Sequence, residues 1–294
     1  MNIVNNKKIF YIFSTLLVVL SLISVGVFGL KFGIDFTGGS VLEIKYGDEV
    51  PSKESLEETL SQFELGDFLL RETNSSGYIL KTKVIDDSTK NSIIATIGGE
   101  VVRFNTIGPT LGDELKTKAS VALVVVIVAI IFFMAYTFRH VSKPVSSWKY
   151  GFVAIIALLH DVIITLGFFS IMGYLYDLEI STLFVTALLV ILGYSINDTI
   201  VVLDRVRENL KDKDENLIKA RFADIVGKSL KETFARSINT SITTLLALLS
   251  LFYIGGESTK EFALALIVGV IVGAYSSLFL AAPMLVSFKE KGEK

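Results

Sequence analysis

The sequence predicts a polytopic α-helical membrane protein with six transmembrane helices and one α+β domain outside the membrane, between the first and second helices. Three observations predict it. Six apolar runs about 20 residues long recur along the chain, residues 31–118 alternate between strand-like and helix-like patterns, and basic residues gather at alternate ends of the runs. A hydrophobic share of 51% with a mean hydropathy of +0.60 fits that class and few soluble proteins. A net charge of −2 gives no sign of nucleic acid as a partner. The absence of cysteine excludes disulfides, thiolate catalysis and cysteine metal sites together.

The runs lie near Ile9–Leu30, Ser120–Phe138, Gly151–Met172, Ile180–Leu203, Ile238–Ile254 and Phe262–Phe288. Each is long enough to cross a hydrocarbon core of roughly 30 Å. The first follows Lys7 and Lys8 as a signal peptide would, but it is too long and lacks an Ala-x-Ala-like site, so an uncleaved anchor is expected. Lys and Arg are retained in the cytoplasm. An N-terminus inside puts well over half of the 28 basic residues there, including Arg139, Lys143 and Lys149, the nine from Arg205 to Arg236, and Lys289, Lys291 and Lys294. The two short outer loops, with Asp177 and Glu179 and then Glu257, Lys260 and Glu261, are acidic on balance. Both termini are therefore expected in the cytoplasm and residues 31–118 outside. The implied divisions are 1–30, 31–118 and a five-helix bundle at 119–294, with a charged cytoplasmic loop at about 204–237.

Within the outer domain, Val41–Tyr46 reads as a strand, Ser52–Phe63 as a helix and Phe68–Arg71 as a second strand. Asn74–Gly77 supplies a turn, Tyr78–Thr82 a third strand, Asp87–Ile97 a helix opening on Asp87 and Ser88, and Val101–Thr106 a fourth strand. The order βαββαβ predicts a ferredoxin-like sandwich. Two glycine-rich pieces bracket it, Gly33-Ile34-Asp35-Phe36-Thr37-Gly38-Gly39 and Gly108-Pro109-Thr110-Leu111-Gly112. Glycine permits positive φ and close backbone approach, so each piece reads as a structural elbow or as a hinge that lets the domain swing. Neither has the spacing of a phosphate-binding loop.

The function is sought where charge enters the apolar runs. Gly193-Tyr194-Ser195-Ile196-Asn197-Asp198 places an acid inside the fourth run, and such a residue is costly enough in hydrocarbon to mark a pathway or a partner. Asp198 lies 19 residues from Glu179 and Arg236 lies 21 from Glu257, so at about 1.5 Å per residue both reach a similar depth and are able to meet. Their pairing would serve a proton site or a static lock between two helices. His160-Asp161, near the middle of the third run, is too deep to snorkel. It reads as part of a proton path or as a helix–helix hydrogen bond to Ser195, Asn197 or threonines of the fifth helix. Gly269 and Gly273 form Gly-x-x-x-Gly, a close-packing signal within the subunit or toward a partner.

Enzyme readings fail on inventory. Gly193–Asn197 is one residue short of a nucleophile elbow and sits in a membrane helix, and the histidines are His140 and His160 alone. Asp161 with Asp198 is the sole pair an intramembrane aspartyl protease could use, without the usual sequence contexts. Gly227-Lys228-Ser229 resembles the end of a P-loop, but Phe222 stands where its first glycine belongs.

The pieces Gly33–Gly39, Gly108–Leu115, Gly193–Asn209 and Val268–Ser277 together resemble the SecF family of the bacterial Sec protein-translocation machinery, over nearly the whole chain. The resemblance implies an accessory subunit of the resistance–nodulation–division superfamily that pairs with SecD, stands beside the SecYEG channel in the cytoplasmic membrane, and uses the proton gradient to draw preproteins outward. It implies a proton relay at Asp198 and Arg236, and no cofactor or metal. A proton-driven half-transporter for lipids or small molecules, and a non-conducting scaffold, are the other readings.

Overall fold

A computed structural model describes residues 3–47, 49–73, 76–139, 146–211 and 215–292. Part of the turn predicted at Asn74–Gly77, and His140, Lys143 and Lys294, lie outside the described residues. Two compact units appear, residues 32–121 and residues 1–31 with 122–294.

The smaller unit begins with a short helix α2 (Ile34–Thr37), which follows α1 (Lys7–Phe28) of the other unit. Its body is β1 (Gly39–Lys45), α3 (Lys53–Leu60), β2 (Leu69–Thr73), β3 (Gly77–Thr82), α4 (Asp87–Ile97) and β4 (Glu100–Ile107). The predicted βαββαβ order holds, and the antiparallel sheet runs β2-β3-β1-β4, the order of a ferredoxin-like sandwich. In the central register Leu42 stands opposite Leu80 on one side and Phe104 on the other. One face buries Leu42, Ile44, Leu70 and Leu80 against Leu56, Leu60 and Ile93 of the helices. The period-two alternation of a strand covered on one face produces that core.

The caps show why these helices begin where they do. Ser52 accepts the Ser55 amide, as the sequence suggests. The second helix is capped one residue earlier than expected, by Asp86, whose carboxylate accepts the Thr89 amide at 2.9 Å and the Ser88 hydroxyl at 2.8 Å. Those hydrogen bonds hold its pKa down, to about 2. A carboxyl depressed on folding contributes stability that is complete above its unfolded value near 3.8 and fades as pH falls toward 2. Asp86→Asn should therefore flatten the pH dependence of amide protection at Thr89 and Lys90 in that window, read by hydrogen exchange on the full chain.

The larger unit holds α1, most of α5 (Pro109–Thr137), α6 (Ser147–Tyr176), α7 (Thr182–Leu210), α8 (Glu215–Ile254) and α9 (Glu257–Tyr275). A wide π turn follows at Ser276–Ala281, then α10 (Ala282–Gly292). Six of these stretches are long and apolar enough to cross a membrane, α9 through α10 counting as one. Pro283 lies just past the π turn, and having no N–H it cannot give the α-type bond to Phe279, which favours a widened ladder there.

Packing among the spans inverts the soluble pattern, because lipid is as apolar as leucine. The buried residues of α1 are Ser14, Ser21 and Ser24, while Ile12, Leu16, Leu20 and Ile23 are exposed. Ser24 donates to the Gly167 carbonyl and Ser170 to those of Ser24 and Gly29. A Cβ on Gly167 would stand 2.3 Å from that of Ser21, so α1 and α6 meet through small residues. Gly269 and Gly273 likewise face Ile191 and Ser195 of α7, making Gly-x-x-x-Gly an internal contact.

Two sequence expectations need correction. The second apolar helix begins at Pro109, not near Ser120, so the second glycine-rich piece is its first turns and the helix runs unbroken through residue 118. Proline suits a first helical position because that N–H is unbonded anyway. The charged segment at 204–237 is mostly helix, not loop. Arg205 there bonds Glu208 and Glu232, and Asn209 reaches Glu232 at 2.8 Å, joining α7 to α8 by charge beside the apolar contacts. Asp212–Asp214 lie outside the described residues.

Candidate functional site

A polar core lies between α6, α7, α8 and the π turn, and α7 organises it. Ser195, Asp198 and Thr199 are three and four residues apart, so they share one helical face directed inward. Each reaches a different neighbour. Ser195 donates to Asp161 of α6 at 2.5 Å, Thr199 pairs with Ser277 at 2.8 Å, and Asp198 accepts from Ser237 of α8 at 2.7 Å.

Asp161 is completely buried and has the fullest set of partners. Its Oδ2 accepts from Ser195 and, at 2.8 Å, from Ser276 at the start of the π turn, while Oδ1 lies 2.9 Å from His160 Nδ1. Three donors around one carboxylate join α6, α7 and the last span. Adjacent on one helix, His160 and Asp161 nevertheless bond each other. The sequence reading anticipated Ser195 and missed Ser276.

Asp198 is provided for differently. Oδ1 has Ser237, but the buried Oδ2 has no hydrogen-bond partner among the described residues. The expected pairing with Arg236 is not formed. Arg236 is exposed on α8, with no ion pair within 4 Å among the described residues, although its charge contributes to the carboxylate's electrostatic environment. Neighbouring helix positions point about 100° apart, so turning Ser237 inward turns Arg236 outward. Asn197 is also exposed and bonds nothing among the described residues. Ser237 was missed, although Ser237 and Ser241 at i and i+4 form a hydroxyl stripe, with Ser241 reached by Tyr194.

The arrangement can hold a charge or a proton. Asp198 Oδ2 is a buried carboxylate oxygen with an open lone pair, and protonating it would convert an acceptor into a donor without breaking the Ser237 bond. Asp161 and Asp198 share no partner, so the two carboxylates are separately supported.

The glycine-rich pieces meet in the smaller unit. Gly33 caps α2, Asp35 lies in its first turn, and Gly38 and Gly39 have φ of +74° and +139°. A Cβ on Gly38 would stand 3.0 Å from the Pro109 backbone, and one on Gly112 3.1 Å from the backbone of Phe36 and Gly38. Gly108 has open space around it. Two backbones thus touch where no side chain fits.

Six spans, buried carboxylates held between three of them and the π turn, and a ferredoxin-like sheet between the first two in sequence define a helical membrane protein of the transport type. Residues 89–291 match the C-terminal family of protein export membrane proteins SecD/SecF, and residues 23–50 match the SecD/SecF GG motif, which includes Gly38 and Gly39. The chain belongs to the SecF family. The protein translocase subunit SecF of Thermobaculum terrenum is 36% identical over 99% of this chain and 94% of its own length. That of Rickettsia prowazekii is 34% identical over 98% and 90%. A crystal structure of SecDF from Thermus thermophilus, described as a translocon-associated membrane protein, superposes with a TM-score of 0.83 at 30% identity. It covers 99% of this chain, which spans 39% of that one. SecDF in its super-membrane-facing form gives 0.70, also at 30% identity, over all of this chain and 39% of the other.

Proposed function

We propose that the chain is an accessory subunit of the Sec translocase that works with SecD beside SecYEG and uses the proton motive force to promote preprotein export. The observation that carries this reading is Asp198, a carboxylate buried among spans with one oxygen left unpartnered. In hydrocarbon such a group is rarely kept without a proton or ion to serve. In this reading both termini are cytoplasmic and residues 31–118 lie outside. Protonation at Oδ2 removes the charge that Arg236 experiences and lets α7 and α8 shift. The outer domain then rocks against the emerging polypeptide. Each charge crossing the field supplies about 2.3 kcal/mol per 100 mV.

The SecD partnership has its own support. α7 leaves Thr186, Gly193 and Asn197 exposed, and α8 leaves Arg236, Asn239, Thr240 and Thr243 exposed. A guanidinium, two amides and several hydroxyls are poorly placed against lipid. A second helical bundle would cover them, and the SecDF chain of Thermus thermophilus extends well beyond the part matched here.

The test is export by membranes containing this chain, SecD and SecYEG, followed to completion with and without a proton gradient. The gradient should accelerate completion, and omitting this chain should abolish that acceleration. Equal acceleration without the chain would refute the proposal. Normal export beside a drug- or lipid-sensitivity phenotype would instead favour a half-transporter.

A further inference from the structure

The C-terminal end of α1 is fastened to the turn between α6 and α7. Ser170 of α6 donates to the carbonyls of Ser24 at 3.0 Å and Gly29 at 2.7 Å, and Phe28 stacks on Tyr174 with ring centroids 4.5 Å apart. Two residues further on, the Ile180 amide donates to the Lys31 carbonyl at 2.7 Å, and the Lys31 ammonium pairs with the Asp177 carboxylate.

The turn is shaped for that grip. Asp177 has a φ of +54°, a left-handed conformation that Asp and Asn tolerate better than most residues, and it reverses the chain at the end of α6. A Cβ on Gly173 would stand 3.0 Å from the Leu178 carbonyl oxygen and 3.8 Å from the Lys31 side chain, so the returning chain lies directly on α6. Ile180 is 5% exposed, and Ser181 then caps α7 by accepting the Phe184 amide. Of the two bonds to Lys31, the backbone one matters more. Both members of the ion pair are about half exposed, where such a pair contributes little, whereas parting from Lys31 strands the amide of a buried residue.

The joint lies on the chain's way into the smaller unit. α7 runs unbroken from Thr182 through Asp198, and Lys31 is the last residue before that unit begins at Phe32. The way out is α5, whose span is little buried and offers α7 a weaker hold. We infer that the α6–α7 turn, through Ile180 and Lys31, is the fixed joint by which α7 passes its movement to the outer domain. The inference rests on the proton-driven reading above and makes Ile180 and Lys31 its positioning residues.

The test is energy transfer in nanodiscs holding the full chain and a SecD without cysteine. The chain has no cysteine of its own, so Asn91→Cys, exposed on α4, takes a single donor dye, and lipid headgroups carry the acceptor. Acidification should change the transfer, and Asp198→Asn should abolish the change. Ile180→Pro puts a ring carbon where the N–H stood and should remove most of it, whereas Ile180→Ala keeps the amide and should retain most of it. A Gly-Gly insertion between Lys31 and Phe32 leaves every bond of the joint in place but slackens the link, and should give the loss seen with Ile180→Pro. A change that survives Ile180→Pro or the insertion, or that Ile180→Ala removes as fully, would overturn the inference and leave the proton-driven reading standing. No change in the chain with Asn91→Cys alone, or one that Asp198→Asn leaves intact, would overturn both.

Discussion

Asp198→Asn should reduce proton-gradient-driven export to the rate of membranes that lack the chain, while the amount of assembled complex stays unchanged. The separation follows from the two oxygens. Oδ1 accepts from Ser237, and an amide oxygen accepts that bond equally well, so the contact between α7 and α8 survives, with the NH₂ stranded at the Oδ2 position costing about 1–3 kcal/mol. What the amide lacks is an ionisable group at the unpartnered Oδ2. Pulse-chase export with and without an uncoupler, beside quantification of the complex, would separate the outcomes. Undiminished gradient dependence would reduce the chain to a scaffold or move the coupling elsewhere. Lost complex would make Asp198 a structural lock.

The inward face that Asp198 shares with Ser237 was only partly legible in the sequence. Depth counting placed Asp198 and Arg236 at one level, and level was as much as it could establish. Which way a residue faces depends on rotation about the helix axis, and in a membrane helix that is fixed by small and hydroxyl residues. The signal was present at Ser237 and Ser241, and again at Ser14, Ser21 and Ser24, but serines are quieter than an arginine. The outer sheet was far more legible, because alternation, turns and caps are local and the central strands β1 and β3 carry their buried residues in their own sequence, while β4 buries none. The long reach of α5 back to Pro109 was hidden for the opposite reason. Its first turns, from Pro109 to Lys118, are polar and glycine-bearing, and only the packing of Gly112 on the Phe36–Gly38 backbone shows why a glycine stands inside a helix there.

Asp161 should behave as the converse of Asp198, with its largest effect on stability. Asp161→Leu removes the acceptor shared by Ser195, Ser276 and His160 and strands the buried Ser195 hydroxyl, while Ser276 keeps the Gly273 carbonyl at 3.1 Å. A single interhelical hydrogen bond in a membrane averages only about 0.6 kcal/mol, but stranding a buried donor costs about 1–3 kcal/mol. The loss should total about 2–4 kcal/mol, read as a lower unfolding midpoint in detergent. Asp161→Asn should cost about 1 kcal/mol. Its oxygen still accepts from both serines, and its NH₂ is accommodated once the imidazole hydrogen moves from Nδ1 to Nε2. A carboxylate required for its charge would make the two substitutions equally damaging. One required as an acceptor at the junction of three spans makes leucine far worse than asparagine, and the π turn beginning at Ser276 should then lose amide protection in the leucine variant first.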